Sequence, residues 1–541
     1  MERWVSSVKI LSNIKDKEQS FLYQITHQEL QQQFHYDISK QSSYDRRLEV
    51  NNNGLETSLG EVIEQYMTPF DISESQKMQL DHLKNGAKVV IGGQQAGLLV
   101  SPTYTIHKII SIIVLAKEQS KKLGQPIVPV FWIAGEDHDF DEVNHAYIVK
   151  QPAELKKVKY YQHVDVTDSV SSLSIERDNF KSIIDQFITQ LNETTSTKEI
   201  YNWIKSLPQQ SVQWTDQFAL LIQSLFKHHG LLLIDSHFAP LRKLEVPMFE
   251  KMINAHEKIH ESFIKDQEAM YQLIQEKQII TDSNVHLFVS YEEKRELLKY
   301  DGEFYILGKS DVRLTKSELL KMLHDTPERF SNNVVTRPLM QEMLFNTLAF
   351  IGGPSEVKYW GELKSVFECF DMKMPLVVPR MRMTYINEQI LKYINKFEFN
   401  LENIIVHGLG EYEKTYVFEK EDKDLLNALN ALKHQIDEKY LQLSNEMAES
   451  IELKLLLGNN VMHHQAQFDY FKKHYKKMIK RQYHHEINVI RTLEYTLHPR
   501  NGLQERTMHP LQLLNQYGTS LFDDVLNQIE SYTFDHLVIQ P

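Results

Sequence analysis

The stretch from Ala87 to Gly135 constrains the fold more than any other part of the chain. AKVVIGG (87–93) is a short apolar run ending in paired glycines, the pattern of a strand buried on both faces. After the loop GGQQAGLLVSP (92–102), the segment TYTIHKIISIIVLAKEQSKKLG (103–124) has helical apolar spacing. Pro102 lies just before it and Gly124 follows its lysine-rich end. PIVPVFWIAG (126–135) is a second buried strand that stops at Gly135. Strand, glycine loop, helix and strand make one βαβ unit. GLLLIDSH (230–237), behind a helix around Trp214 to His229, supplies a further strand, as do FIGG (350–353) and MPLVVPR (374–380). The predicted fold class is α/β, with a doubly wound, mostly parallel sheet.

A chain of 541 residues is too long for one core and predicts two to four structural units. Residues 1–85 read as a helical lead-in. Between 245 and 335 the texture changes: NVHLFVSY and ELLKYDGEFYIL look like strands, the latter folded at Asp301-Gly302. This predicts an inserted small subdomain. From about 420 the chain turns helical, with Leu425, Leu429, Leu432, Ile436, Tyr440, Leu443 and Met447 at steps of three and four. A second series, Phe468, Phe471, Tyr475 and Met478, then Tyr483, Ile487 and Ile490, follows Gly458-Asn459-Asn460, read as a helix stop. An antiparallel coiled-coil hairpin is expected. The basic run KKHYKKMIKR (472–481) reads as its solvated face. The boundaries that follow are 1–244 for the lead-in and first part of the core, 245–335 for the insertion and 336–418 for the rest of the core. The coiled coil takes 419–495, and 496–541 is a terminal segment packing back on the core.

A net charge of −13 argues against nucleic-acid backbones and anionic membranes as partners. Any anionic ligand then needs local basic groups or backbone N–H donors. Cys369 is the sole cysteine, which rules out an internal disulfide, fits a reducing compartment and reads as a small buried residue. The amino-terminal segment lacks a signal-peptide apolar core, and no apolar run reaches membrane-spanning length. A cytoplasmic location is expected.

Three segments could carry chemistry. In GGQQAGLLVSPTYTIHK, Gly92, Gly93 and Gly97 permit close ligand approach, and Gln94 and Gln95 both donate and accept. Thr103, Tyr104, His107 and Lys108 sit in the first turns of the helix, whose free N–H groups suit an anion. The spacing matches neither GxGxxG nor a Walker A loop, and a tight turn required only by packing is the plain alternative. In WIAGEDHDFDEVNH (132–145), Glu136, Asp137, His138 and Asp139 head a run that continues through Asp141, Glu142 and His145, just past a strand end. Such a cluster could bind a substrate ammonium, act as general base, hold Mg2+ through carboxylates or zinc through His138 and His145, or be a structural acidic loop. In FIGGPSEVKYWGELK (350–364), Gly352 and Gly353 precede Glu356 and Tyr359, while Arg337 upstream and Arg380 downstream can clamp a carboxylate or phosphate.

These segments, with MPLVVPR and a terminal HPRNGLQERTMHPLQLLNQYG (498–518), resemble the cysteine-adding enzyme family of bacillithiol biosynthesis over nearly the whole chain. One departure is Ser101, where the family usually carries glycine. The resemblance implies a Rossmann-like core, an inserted connective subdomain, a carboxyl-terminal coiled coil and a homodimer formed through it. It also implies a ligase joining cysteine to glucosaminyl-malate by an amide bond. The reaction type implies ATP, with Mg2+ as its companion; no resident metal is expected. The architecture resembles class I adenylate-forming enzymes in part, although only His107 stands where their HxGH signature falls and a KMSKS loop is missing. On this reading Glu136, Asp137 or Asp139 binds the cysteine ammonium and His138 deprotonates the sugar amine. Arg337 takes the malate carboxylates, and Thr103, Lys108 and Arg380 hold the activated acid. A non-catalytic coiled-coil scaffold and a metal-dependent hydrolase are the alternatives from other classes.

Overall fold

A computed structural model describes residues 9–15, 20, 22, 24, 25, 29–137, 139–150, 154–162, 169–446 and 450–541. Two compact units divide the chain. The first is Met1–Ile148 with Lys156–Glu388 and Glu505–Pro541, and the second is Val149–Leu155 with Gln389–Gln504.

In the first unit, β1 (Lys9–Ile14) is followed by short helices, including Gln41–Leu48, Glu56–Met67 and Glu74–Lys84. The expected lead-in is therefore helical except at its start. β2 (Lys88–Gln94), helix α1 (Tyr104–Leu123) and β3 (Ile127–Ile133) form the βαβ unit at the predicted positions. β4 (His145–Lys150) and β5 (Glu154–Lys159), whose residues Val149–Leu155 count with the second unit, come next along the chain, then β6 (Leu232–Asp235) in the first. Strands β7 (Leu287–Tyr291), β8 (Lys294–Tyr300), β9 (Tyr305–Leu307), β10 (Arg313–Leu314) and β11 (Phe330–Asn332) precede β12 (Thr347–Gly352). Helix α2 (Pro354–Trp360), β13 (Leu376–Pro379) and β14 (Arg382–Tyr385) follow.

The central sheet runs β13-β12-β2-β3-β6, and every pair in it is parallel. Val89, Val90, Val128, Val130, Phe131, Leu233 and Ile234 are all fully buried, which is why these strands read as unbroken apolar runs rather than alternating ones. Helix α1 packs across β2 and β3 with Ile106, Ile109, Ile110 and Ile112 buried, and Gly124 ends it in the left-handed region at φ 66°. Each such side chain contributes roughly 1.5–3 kcal/mol by leaving water.

The sequence 245–335 contains a separate antiparallel sheet, β10-β9-β8-β7-β11. Its β8–β9 turn falls at Asp301-Gly302, where the Asp301 carboxylate accepts from the N–H groups of Glu303 and Phe304 and Gly302 takes φ 104°. A third sheet, β1-β15-β14, uses β15 (His536–Gln540), antiparallel to β1 and parallel to β14. KILSNI carries no strand signature of its own; pairing with β15 determines its conformation.

The second unit is helical. Helices α3 (Lys423–Glu446) and α4 (Ile451–Gln482) form the expected antiparallel hairpin, with the Tyr440 hydroxyl on Asn460 and the Tyr475 hydroxyl accepting from the Asp422 N–H at 2.8 Å. The break is not at Gly458. Helix α4 runs straight through Gly458-Asn459-Asn460, and its amino terminus is capped by Ser450, whose side chain accepts from the Leu453 N–H. One glycine in an exposed helix interior costs only about 1 kcal/mol, too little to end a helix of this length. Met447 lies outside the described residues. Val417, Tyr475, Ile479 and Ile487 make the core near the base of the hairpin. The basic run is mostly solvated, with Lys480 paired to Glu413 at 2.8 Å.

Among the described residues no helix is long and apolar enough to cross a membrane. Cys369 is half-buried rather than buried, with its Sγ 3.1 Å from the Ser262 hydroxyl.

Candidate active site

In the central sheet the chain steps from β2 through β3 to β6 on one side, then crosses to β12 and β13 on the other. Connections leave β2 and β12 in opposite directions, so a crevice opens beyond their carboxyl ends. A cavity of about 610 Å³ lies there, and residues from all three predicted segments line it. That volume is in the range of small-molecule sites.

Asp137, just past the end of β3, lines the cavity beside Gln95 from the turn after β2. The Gln95 amide donates to Asp137 Oδ2 at 2.7 Å, and Arg295 approaches Oδ1 at 3.4 Å. Its neighbour Glu136 is wholly buried and does not line the cavity. The carboxylate of Glu136 is held by Arg242 and by Arg337 Nε at 3.0 Å. Burial pushes this carboxyl up, but Arg242, Arg337 and Arg295 outweigh it and hold it below the ordinary carboxylate range. Arg337 itself lines the cavity. Asp139 is exposed and outside the lining, and His138 lies outside the described residues.

On the β2–β12 side, Lys108 reaches back from α1 to the cavity. Its ammonium donates to Gly93 O at 2.5 Å, Gln94 Oε1 at 3.1 Å and Glu356 Oε2 at 2.5 Å. Burial lowers its pKa, and Glu356 works against that. Glu356 also accepts from the Gly353 N–H at 2.6 Å, capping α2. Gly93 and Gly353 line the cavity, whereas Gly92, Gly97 and Gly352 do not. A side chain at Gly92 would meet Ile351 O at 2.7 Å and one at Gly93 would meet Trp132 O at 2.4 Å, so close strand approach on both sides of β2 requires glycine. Tyr104, Tyr359, Phe350, Trp360 and Trp132 supply aromatic walls; Phe350 stacks on Trp360 at 4.3 Å between ring centres. The buried indole N–H of Trp132 has no partner among the described residues.

Behind Tyr104 is a fully buried ion set. Glu505 accepts two bonds from Arg380, at 2.8 and 2.6 Å, and one from His107 Nδ1 at 2.7 Å. Burial raises the Glu505 carboxyl, but Arg380 and His107 bring it far below the usual range, while burial keeps His107 low. Thr103 also lies beneath the surface: its N–H donates to Met508 O at 2.9 Å and its hydroxyl to Glu505 O at 3.3 Å. Thr103 and His107 therefore support the cavity wall and do not line it, and the α1 amino terminus is partly satisfied by the chain itself.

Among the cavity residues that sequence reasoning did not single out, Arg295, Phe288 and Arg506 matter most for charge and shape. Arg295 and Phe288 come from the antiparallel sheet, where Arg295 stacks on Phe288 at 3.9 Å. An arginine in KRELLKY has the look of a solvated strand residue, so nothing local marks it. Arg506 lines the cavity from GLQER, a segment the sequence flagged only by resemblance. Among the described residues no group of three histidine, cysteine, aspartate or glutamate side chains is placed to hold a metal ion.

The sequence matches two family models that together span almost the whole chain: the N-terminal Rossmann-like domain of bacillithiol biosynthesis BshC over residues 7–381, and the C-terminal coiled-coil domain of the same family over residues 383–541. The chain belongs to the BshC family. A Staphylococcus aureus (strain MRSA252) protein named "Putative cysteine ligase BshC" is 42% identical over 510 residues, covering 94% of this chain and 95% of its own. A Staphylococcus carnosus (strain TM300) protein of the same name is 40% identical over 535 residues, 98% of this chain and 99% of its own. The family's Rossmann-like and coiled-coil parts coincide with the parallel sheet and the helical hairpin described above. Among solved structures, a chain titled as a putative arginyl-tRNA synthetase from Campylobacter jejuni aligns over 86% of this chain and 98% of its own, at 10% identity and a TM-score of 0.25.

Proposed function

We propose that this chain is a cysteine ligase of the bacterial cytoplasm. It would join the carboxyl group of cysteine to the amine of glucosaminyl-malate, forming bacillithiol, with Mg-ATP activating the cysteine carboxylate. The name carried by the relatives supports this reading, and one observation carries it: a carboxylate and several guanidinium groups share a single cavity at the sheet's switch point.

A free carboxylate is a poor acyl donor, so a cysteine oxygen must first attack a phosphorus of ATP. Attack at the α-phosphorus releases pyrophosphate and leaves an acyl adenylate; attack at the γ-phosphorus releases ADP and leaves an acyl phosphate. The sugar amine then forms the C–N bond, the C–O bond to AMP or phosphate breaks, and the amine proton passes to a base. Asp137, oriented by Gln95, is the group for the cysteine ammonium. Glu136 has both oxygens on arginines, so we assign it the work of holding Arg337 for the malate carboxylates. His138 remains our candidate base, beside Asp137 in sequence. Fixed charges in a partly enclosed cavity supply most of the acceleration such a step needs.

The coiled coil is read as the homodimer contact. Leu425, Leu432 and Leu443 of the predicted apolar series are at least 40% exposed in the single chain.

The test combines purified protein with cysteine, glucosaminyl-malate and Mg-ATP and follows bacillithiol by mass spectrometry. Product is expected from the wild type, with a loss of at least a hundredfold in Asp137→Ala. Wild-type protein that makes no product, or an alanine variant as fast as wild type, would falsify the assignment. Normal thiol levels in cells carrying cleft variants, lost only when the hairpin is deleted, would point to a scaffold instead.

A further inference from the structure

Three cations gather where α1 begins: Lys108, Arg380 and Arg506 all line the cavity. The first two are already committed. All three donors of the Lys108 ammonium are taken, by Gly93 O, Gln94 Oε1 and Glu356. Arg380 is bound in bidentate fashion by Glu505 and also donates to Met381 O at 3.4 Å. The N–H of Thr103, just ahead of the helix, is spent on Met508 O. Three cations face two carboxylates, so one positive charge is unbalanced. Among the described residues, nothing makes an ion pair or hydrogen bond with the Arg506 guanidinium, and its side chain is exposed to the cavity.

The root of that side chain is fixed. On one side of it, Glu505 is locked by Arg380 and His107, and Glu505 O accepts from the Thr103 hydroxyl. On the other, Thr507 is buried and Met508 O holds the Thr103 N–H. A buried clamp on both neighbours fixes where this arginine leaves the backbone, beside the strand-to-helix turn, and leaves its guanidinium free to meet a ligand in the cavity.

We infer that Arg506 is the phosphate-binding residue of this cavity, taking the phosphate chain of the nucleotide through its guanidinium fork; this rests on the ATP-dependent ligase reading. A guanidinium matches phosphate oxygens two at a time, and a cation without an internal partner loses no ion pair when the ligand arrives. The carboxylates of the sugar substrate have their own counterpart in Arg337, held beside Asp137 by Glu136. Lys108 and Arg380, which sequence reasoning put forward for this task, become the structural pairs that shape the pocket around it.

Titration calorimetry on the full-length protein decides the matter, with inorganic pyrophosphate as one probe and L-malate as the other. Arg506→Ala, a change at an exposed side chain, is expected to weaken pyrophosphate at least tenfold and leave malate unchanged, with Arg506→Lys between alanine and wild type. Wild type that binds no pyrophosphate, an alanine variant that binds it as wild type does, or a loss confined to malate overturns the assignment. Product formation by the wild type is scored separately. If wild-type protein makes bacillithiol while Arg506→Ala keeps its pyrophosphate affinity, the ligase reading stands and the role of Arg506 falls.

Discussion

Ser101 holds a backbone conformation, φ 74° and ψ 179°, that L side chains rarely adopt. It ends a run of three non-glycine residues with positive φ, after Leu99 at 52° and Val100 at 91°. The strain sits in the turn between β2 and α1, directly ahead of Pro102. Such a position costs on the order of 1–3 kcal/mol and persists only where its surroundings force it. The force here is visible: Leu98, Leu99 and Val100 are wholly buried, and the Leu99 N–H is held by Gln217 at 3.0 Å. Glycine would remove most of the strain at Ser101 and would cost about 0.5–1 kcal/mol in unfolded-chain entropy. Ser101→Gly is therefore expected to be more stable than wild type by about 1 kcal/mol in urea unfolding. A variant that unfolds at lower urea would show that the serine contributes more than its backbone conformation costs. The resemblance leads one to expect glycine at 101; the strain of a serine there was not legible in the sequence, because φ is set by packing against Gln217 and the buried leucines. The same limit governed the site. Asp137 and Gln95 could be placed together because each follows a strand of one βαβ unit, but Glu136 could not be told apart from Asp137. Which of two adjacent carboxylates faces the cavity depends on arginines at 242, 295 and 337, far away in the chain.

At the scale of elements, the amino-terminal edge of the sheet depends on one side chain. Arg47, on helix Gln41–Leu48, donates to Thr347 O at 2.7 Å and Lys373 O at 3.0 Å and pairs with Glu342. It thus ties that helix to the start of β12, to the approach to β13 and to helix Thr336–Leu344. Burial pushes the Glu342 carboxyl up to about 7 from an ordinary 4.5, against the pull of Arg47. A folded-state value above the unfolded one means the folded protein holds this proton more tightly. The stability it contributes is full below about pH 4.5, is lost as pH rises to about 7, and is flat beyond. The change is on the order of 3 kcal/mol. Glu342→Gln cannot titrate, so the wild-type-minus-variant stability should fall by about that amount between pH 4.5 and 7.5, measured by urea unfolding across the series. A difference that stays level, or that grows with pH, would refute the shift. Long-range ties of this kind explain what sequence reasoning could and could not read. The five parallel strands announced themselves because burial on both faces leaves an unbroken apolar run. β1 did not, since its partner β15 lies at the other end of the chain, and Arg295 did not, since a strand arginine reads as solvated until its sheet is placed.

The whole molecule carries a surface that a single chain does not cover. No residue of α3 is buried, and Leu425, Leu432, Leu441 and Leu443 are 40–64% exposed, as are Leu455, Leu456 and Met462 on α4 at 62–65%. Helices of 24 and 32 residues are roughly 36 and 48 Å long, enough for an interface of the usual 1,200–2,000 Å². Each leucine buried there would contribute about 1.5–3 kcal/mol at full burial, and these are already partly covered, so several must act together. The core of Val417, Tyr475, Ile479 and Ile487 at the base of the hairpin is independent of them, so charge can be placed on the outer stripe without unfolding it. Light scattering should give the wild type about twice the chain mass of 63.7 kDa. Leu432→Lys with Leu443→Lys should return it to the single-chain mass with its helical circular dichroism intact. A wild type that is monomeric at every concentration, or a charged variant that stays dimeric, would mean that something other than a second copy covers this stripe. Turnover then separates the remaining roles: among the described residues, none that lines the cavity comes from the two hairpin helices, so the monomeric variant should keep its ligase turnover per chain even when the dimer is gone.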